Sequence, residues 1–107
     1  MENKRNQRLF GMLGFAMRAG KLILGTPLVC AEMPKGKIKL VAVSIGASPA
    51  TQKKLRTKSE FYNIPLVTVD IDTGELGRIL GKGGALAAVA VKDEGFAEEI
   101  KKAAASD

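Results

Sequence analysis

Four short apolar segments, Leu22–Leu24, Leu40–Ile45, Leu66–Val69 and Leu86–Val91, alternate with stretches of helical pattern. No other feature restricts the fold as strongly. Strands separated by helices can bury their apolar faces only in a sheet that the helices cover. The succession predicts an α/β fold with helices on both sides of a small sheet.

The junctions carry their own turn chemistry. A first helix is predicted from about Asn6 to Arg18, because Leu9, Met12, Leu13, Ala16 and Met17 follow one-faced helical spacing. Gly20 stops it, while Gly11 and Gly14 weaken it and suit close packing against a neighbour. Thr26 reads as an N-cap with Pro27 in the first turn, and that helix ends before Pro34 or Gly36. Ser48-Pro49 repeats the signature before a basic helix that runs to about Phe61. Asp72 with Glu75 fits a capping box for a short helix, Thr73–Leu80, stopped by Gly81. Asp93 caps a last helix, from Glu94 to about Ala104. No linker, internal repeat or low-complexity tract interrupts the chain, so 107 residues read as a single domain.

What is missing excludes several chemistries. There is no His and only one Cys. A Ser-His-Asp or Cys-His nucleophile system cannot be built, nor a Cys/His zinc site, nor an internal disulfide. Nothing requires an oxidising compartment. Ala85–Val91, the longest apolar run, is far short of a membrane span. Lys4, Arg5 and Arg8 ahead of Leu9–Met17 imitate a signal peptide. The helical spacing and the following Arg18 and Lys21 instead indicate the first helix of a cytoplasmic domain.

Charge is uneven along the chain. Residues 1–58 hold twelve Lys and Arg against Glu2 and Glu32, a balance of +10, whereas residues 59–107 are net −4. A basic half of this kind suits a polyanion, most often nucleic acid.

Gly81-Lys82-Gly83-Gly84 is the most suggestive short motif. It is not a P-loop: Leu76 and Gly83 stand where Gly and Ser/Thr are required, and a helix precedes it. It resembles the Gly-x-x-Gly loop of KH domains, which clamps nucleic-acid backbone between two helices. The strand-like Ala87–Val91 that follows favours a turn between helix and strand. Asp70 and Asp72 stand two apart and suggest a cation pair, but Asp72 is better spent as a cap. Cys30, among Leu28, Val29 and Ala31, reads as a small core residue, and Phe61-Tyr62 as core in preference to a stacking platform. No set of residues assembles an acid, a base and an oxyanion donor, so no enzyme, metal or cofactor is expected.

Leu13-Gly14-Phe15-Ala16-Met17-Arg18-Ala19-Gly20-Lys21 resembles the opening helix and turn of bacterial YlxQ-type proteins. Gly25-Thr26 and Lys35–Val41 continue the likeness, and Glu75–Lys82 resembles that family's Leu-Gly-Arg-x-x-Gly segment. These proteins belong to the L-seven-Ae / L-thirty-e ribosomal protein superfamily, and the likeness spans about residues 8–103. It implies a three-layer α/β/α sandwich around a small mixed sheet. It also implies non-catalytic binding of structured RNA, commonly a kink-turn, by a monomeric ribosomal-protein-like molecule.

In that family RNA meets the start of the second helix through a Gly-x-Asn-Glu-x-x-Lys pattern. Gly25 agrees, whereas Pro27, Leu28 and Ala31 stand at the Asn, Glu and Lys positions. Ser48, Thr73 and the loop Gly81, Lys82, Gly83 and Gly84 correspond to further RNA-facing positions. A helix start at Gly25-Thr26 suits a phosphate, and Pro27 removes one donor while keeping the geometry. With Lys21 and Lys53, these residues form the expected RNA-facing set. Base-reading side chains are largely missing from it, so weakened kink-turn readout is expected. A protein-interaction module built on the apolar Pro27-Leu28-Val29 edge is the alternative. The scaffold also resembles the small RNA-recognition domain of SpoU-type methyltransferases, but 107 residues leave no room for their cofactor domain.

Overall fold

The computed structural model describes residues 4–105, and side chains from Gln7 onward. The side chains of Lys4 and Arg5, and residues Glu2 and Asp107 of the charge count, lie outside the described set. In chain order the elements are α1 (Lys4–Arg18), β1 (Leu22–Leu24), α2 (Thr26–Glu32), β2 (Leu40–Ser44), α3 (Pro49–Phe61), β3 (Leu66–Val69), α4 (Thr73–Ile79), β4 (Ala88–Val91) and α5 (Glu94–Ala105). A 3₁₀ turn, Met33–Lys35, extends α2 and ends at Gly36 in the left-handed region.

The four strands form one mixed sheet in the order β1-β4-β2-β3. β4 runs antiparallel to both β1 and β2, and β2 and β3 are parallel. Side-chain alternation divides the core in two. Leu40, Ala42, Val89 and Val91 face α1, α4 and α5, where they meet Leu9, Leu13, Leu76 and Ile100. Val41, Val43, Ala88 and Ala90 face α2 and α3, where they meet Val29, Met33 and Leu55. Both faces of the central strands are therefore buried, which is why β2 and β4 read as unbroken apolar runs. This is the three-layer α/β/α sandwich with a small mixed sheet.

Several local expectations need correction. Thr26 does not cap α2. Gly25 does, at φ 95° and ψ 144°, and Thr26 becomes the first helical residue with Pro27 behind it. The reason is backbone shape. Gly25 donates its N–H to Ala88 O and accepts from Val29 N–H, which a β-carbon would disfavour at this φ. The strand β4 starts at Ala88, two residues later than its apolar run, because Leu86 N–H bonds Thr73 O while its side chain enters the core. β2 stops at Ser44, where Ala47 N–H closes a turn onto Ser44 O. Of the α1 stripe, Leu9, Leu13 and Ala16 are buried, but Met17 is exposed. Gly11 and Gly14 do not pack against a neighbouring element: Gly11 faces open space, and beside Gly14 lies only the Arg18 guanidinium. Tyr62 packs on the α2/α3 core while Phe61 stays exposed, the rings meeting edge to face at 4.8 Å. Finally, Gly81–Gly84 leaves α4 and leads into β4. A KH loop joins two helices, so the KH-like alternative fails on topology.

Candidate RNA-binding surface

The C-terminal ends of β1, β2 and β3 and the entry to β4 converge at one end of the sheet. Ser44 ties them together. Its hydroxyl donates to Ile71 O at 2.6 Å and accepts from Gly46 N–H at 3.0 Å, and its own N–H bonds Ala87 O at 2.8 Å. Gly46 lies against Asp72 and Thr73, and Thr73 O accepts from Leu86 N–H. Four connections, around Gly25, Gly46, Asp72 and Gly81–Ala87, thus form a single edge surface.

Within it, Gly25, Thr26, Pro27 and Leu28 line a cleft of about 430 Å³ together with Lys82 and Leu86. Pro27 and Leu28 project outward, Leu28 being 56% exposed. Ala31, one turn on, is also exposed. The Thr26 hydroxyl is turned in and has no hydrogen-bond partner among the described residues. Helix geometry leaves only the Thr26 and Leu28 N–H groups of the first turn unbonded, because Pro27 has none. The cleft therefore offers one ammonium, two backbone donors and an apolar rim, with the Thr26 hydroxyl turned away from solvent.

The other expected residues lie around this cleft or away from it. Ser48 is at the same end, its hydroxyl accepting from Thr51 N–H at 3.2 Å as the cap of α3. Lys53 stands exposed on the second turn of α3. Gly83 and Gly84 line a separate cleft of about 330 Å³ with Gly74 and Arg78. Gly81 and Gly83 both have positive φ, which shapes the loop that carries Lys82. Lys21 sits at the opposite end of β1, beside Lys37, Lys39 and Lys92.

Asp72 is spent as a cap, accepting from Glu75 N–H at 2.8 Å. Only that half of the capping box forms, because the Glu75 carboxylate turns to Arg78, whose Nε lies 3.0 Å from Oε1. This hydrogen bond holds Glu75 below the usual glutamate range, against a weaker opposing effect of burial. Among the described residues no group of three or more Cys, Asp or Glu converges on one point. No helix among them is long and apolar enough to cross a membrane.

Sequence reasoning missed Gly77. A β-carbon there would overlap the Gly84 carbonyl oxygen, with the carbonyl carbon 2.8 Å away. The available signal was a glycine inside a seven-residue helix, where helix propensity alone disfavours it.

The class is that of a three-layer α/β/α sandwich with a lysine-flanked cleft at one sheet end. Residues 7–101 match the profile of the Ribosomal protein L7Ae/L30e/S12e/Gadd45 family, and the chain belongs to that family. It is similar to the RNA-binding protein YlxQ of Enterococcus faecium, with 34% identity over 95% of this chain and 96% of that one. Its identity to the RNA-binding protein YlxQ of Bacillus subtilis is 40%, over 85% and 89% of the two chains. A solved structure from Bacillus halodurans, titled as a protein with unknown function, superposes with a TM-score of 0.85. That match has 32% identity and covers 92% of this chain and 98% of the other.

Proposed function

We propose that this protein is a non-catalytic, cytoplasmic, ribosome-associated binder of structured RNA that holds phosphate backbone and reads a kink-turn weakly. One observation carries the reading. At the head of α2, where the family resemblance implies Asn, Glu and Lys, the exposed side chains are Pro27, Leu28 and Ala31. Pro27 and Leu28 line a cleft whose one charged group is Lys82, and Ala31 stands one turn on. An ammonium is a point charge that suits a phosphate and lacks the fixed planar fork of a guanidinium. The YlxQ relatives, which are RNA-binding proteins, support the RNA class.

Gel shifts against ribosomal RNA, RNase P RNA and a kink-turn, each at several salt concentrations, test this reading. Binding is expected to weaken with salt by about 0.7–0.9 in log affinity per phosphate contact per log unit. Affinity unchanged between low and physiological salt would refute it. The exposed Leu28 favours a second reading, in which this edge docks a protein. That reading predicts a complex resistant to salt and lost on Leu28→Ser.

A further inference from the structure

The backbone register builds a lysine row that the order of the sequence conceals. Leu22 pairs with Val91, and Val91 pairs with Leu40. One step beyond, on three neighbouring strands, stand Lys21, Lys92 and Lys39. The row is fixed by main-chain bonds, Lys92 N–H to Lys21 O at 2.9 Å and Lys39 N–H to Val91 O at 2.7 Å. Lys37 joins from the loop after Gly36, and the four surround a cleft of about 380 Å³. Among the described residues none of the four has an ion-pair partner. Asp93, next to Lys92, accepts from Phe96 N–H at 2.9 Å as the cap of α5, and Glu32 is engaged by Lys35 at 2.9 Å.

Glu32 lies near enough to Lys37 and Lys92 for both to lower its pKa, yet it is shared with Lys35, so four ammonium groups remain only partly compensated and a bound anion relieves their repulsion. The cleft is also not isolated. Lys37 and Lys92 line a second cleft, about 540 Å³, that follows β1 past Leu22 and Leu24 to Leu28 and Lys82, with Glu32, held by Lys35, as its one carboxylate. Lys82 in turn lines the cleft at the head of α2. A single furrow thus follows β1, which pairs only with β4. From Gly20 to Gly25 it measures about 17 Å at about 3.3 Å per residue. None of its lining residues is aromatic, so it offers charge and no stacking platform.

We propose that bound RNA continues from the α2 cleft along β1, and that Lys21, Lys37, Lys39 and Lys92 form a second, sequence-independent station for its phosphodiester backbone. The inference rests on the RNA-binding reading and adds a contact at the opposite end of the sheet from Lys82. The test uses the full chain and a fluorescent hairpin RNA with an internal loop and a single-stranded extension, titrated over a salt series. Lys39→Gln with Lys92→Gln is expected to lower affinity about tenfold at physiological salt and to reduce the salt slope by about 1.4–1.8. Lys39→Arg with Lys92→Arg is expected to retain binding. Lys101→Gln with Lys102→Gln on α5 removes the same charge elsewhere and is expected to change affinity by less than about twofold, screening being strong at that range. If the wild type binds in a salt-dependent way and the Gln pair binds equally well with the same slope, the second station is refuted and the RNA reading stands. An equal loss in the α5 pair also refutes it, since net charge would then be the cause. A wild type that binds no RNA refutes both.

Discussion

Gly77 of α4 lies directly under the Gly84 carbonyl, so close that a β-carbon at position 77 would overlap the oxygen and sit 3.3 Å from Ala85 Cα. The same residue's carbonyl accepts from Lys82 N–H at 2.9 Å. Gly77 therefore seats the whole Gly81–Ala85 loop against α4 and fixes the stem on which Lys82 projects.

Gly77→Ala sets two effects against each other. Helix propensity favours the change by about 0.5–1 kcal/mol, and overpacking against main chain costs about 1–3 kcal/mol. The obstacle is backbone, so overpacking wins. A net loss of about 1–2 kcal/mol is expected by denaturant midpoint, with the Lys82 amide resonance displaced. Gly11→Ala in α1 is the control, because open space surrounds that site, and it is expected to stabilise by about 0.5–1 kcal/mol. Equal effects of the two changes would show that the contact with Gly84 is not a constraint.

Gly25→Ala strains the backbone without a steric collision. Its built β-carbon meets only Leu86 Cδ2 and Pro27 Cδ, each at 3.9 Å, but φ is 95°. A residue with a side chain holds that conformation at about 1–3 kcal/mol. Thermal unfolding is expected about 4–8 °C lower per kcal/mol in a chain of this size. An unchanged midpoint would show that the turn relaxes freely.

Local chemistry made the elements legible, and non-local pairing hid the surface. Ser48 and Asp72 announce their helices because a cap acts within three residues, and both cap as expected. The two-sided burial of β2 and β4 follows from their unbroken apolar composition. The insertion of β4 between β1 and β2 depends on contacts about 50 to 70 residues apart in the chain. No local pattern encodes it. The lysine row is a consequence of that insertion: Lys21, Lys39 and Lys92 have nothing in common until the register aligns them. The exchange of Thr26 for Gly25 as the cap is equally non-local, since Ala88 O draws Gly25 N–H into the sheet. Gly25 and Lys82, distant in sequence and grouped there only by the family resemblance, line the same α2 cleft.

The Glu75–Arg78 pair gives a pH signature. Arg78 lowers the Glu75 pKa chiefly through its hydrogen bond, so the folded chain binds that proton less tightly than the unfolded one. The pair's contribution to stability is therefore complete above the ordinary glutamate range and disappears as pH falls through the folded value. Arg78 is exposed and Glu75 half-buried at the surface, so the effect on global stability is small. Carboxyl-carbon NMR titration is the sensitive readout. Glu75 is expected to titrate below the ordinary glutamate value, and Arg78→Gln is expected to raise its midpoint towards that value. A midpoint that Arg78→Gln leaves unmoved would assign the shift to another cause.

Restoring the missing readers at the head of α2 tests the specificity argument. Pro27, Leu28 and Ala31 all reach solvent, so Pro27→Asn, Leu28→Glu and Ala31→Lys can be made together without opening the core. The fold should tolerate them. Loss of the proline costs about 0.4–1 kcal/mol through the unfolded chain. Glu in the first turn and Lys in the last turn of α2 interact favourably with the helix dipole, by about 0.3–1 kcal/mol each, which offsets it. Side chains that hydrogen-bond base edges contribute about 1–3 kcal/mol of discrimination each, by analogy with groove readout. Two or three such contacts correspond to about a hundredfold or more in affinity. The native chain is therefore expected to bind a kink-turn no better than a duplex of equal charge, and the triple variant to gain about a hundredfold for the kink-turn alone. Fluorescence titrations of both RNAs at fixed salt, with circular dichroism to verify folding, decide the matter. Nanomolar kink-turn binding by the native chain would refute the argument. So would a folded triple variant that gains nothing, because Pro27, Leu28 and Ala31 would then not be what limits readout.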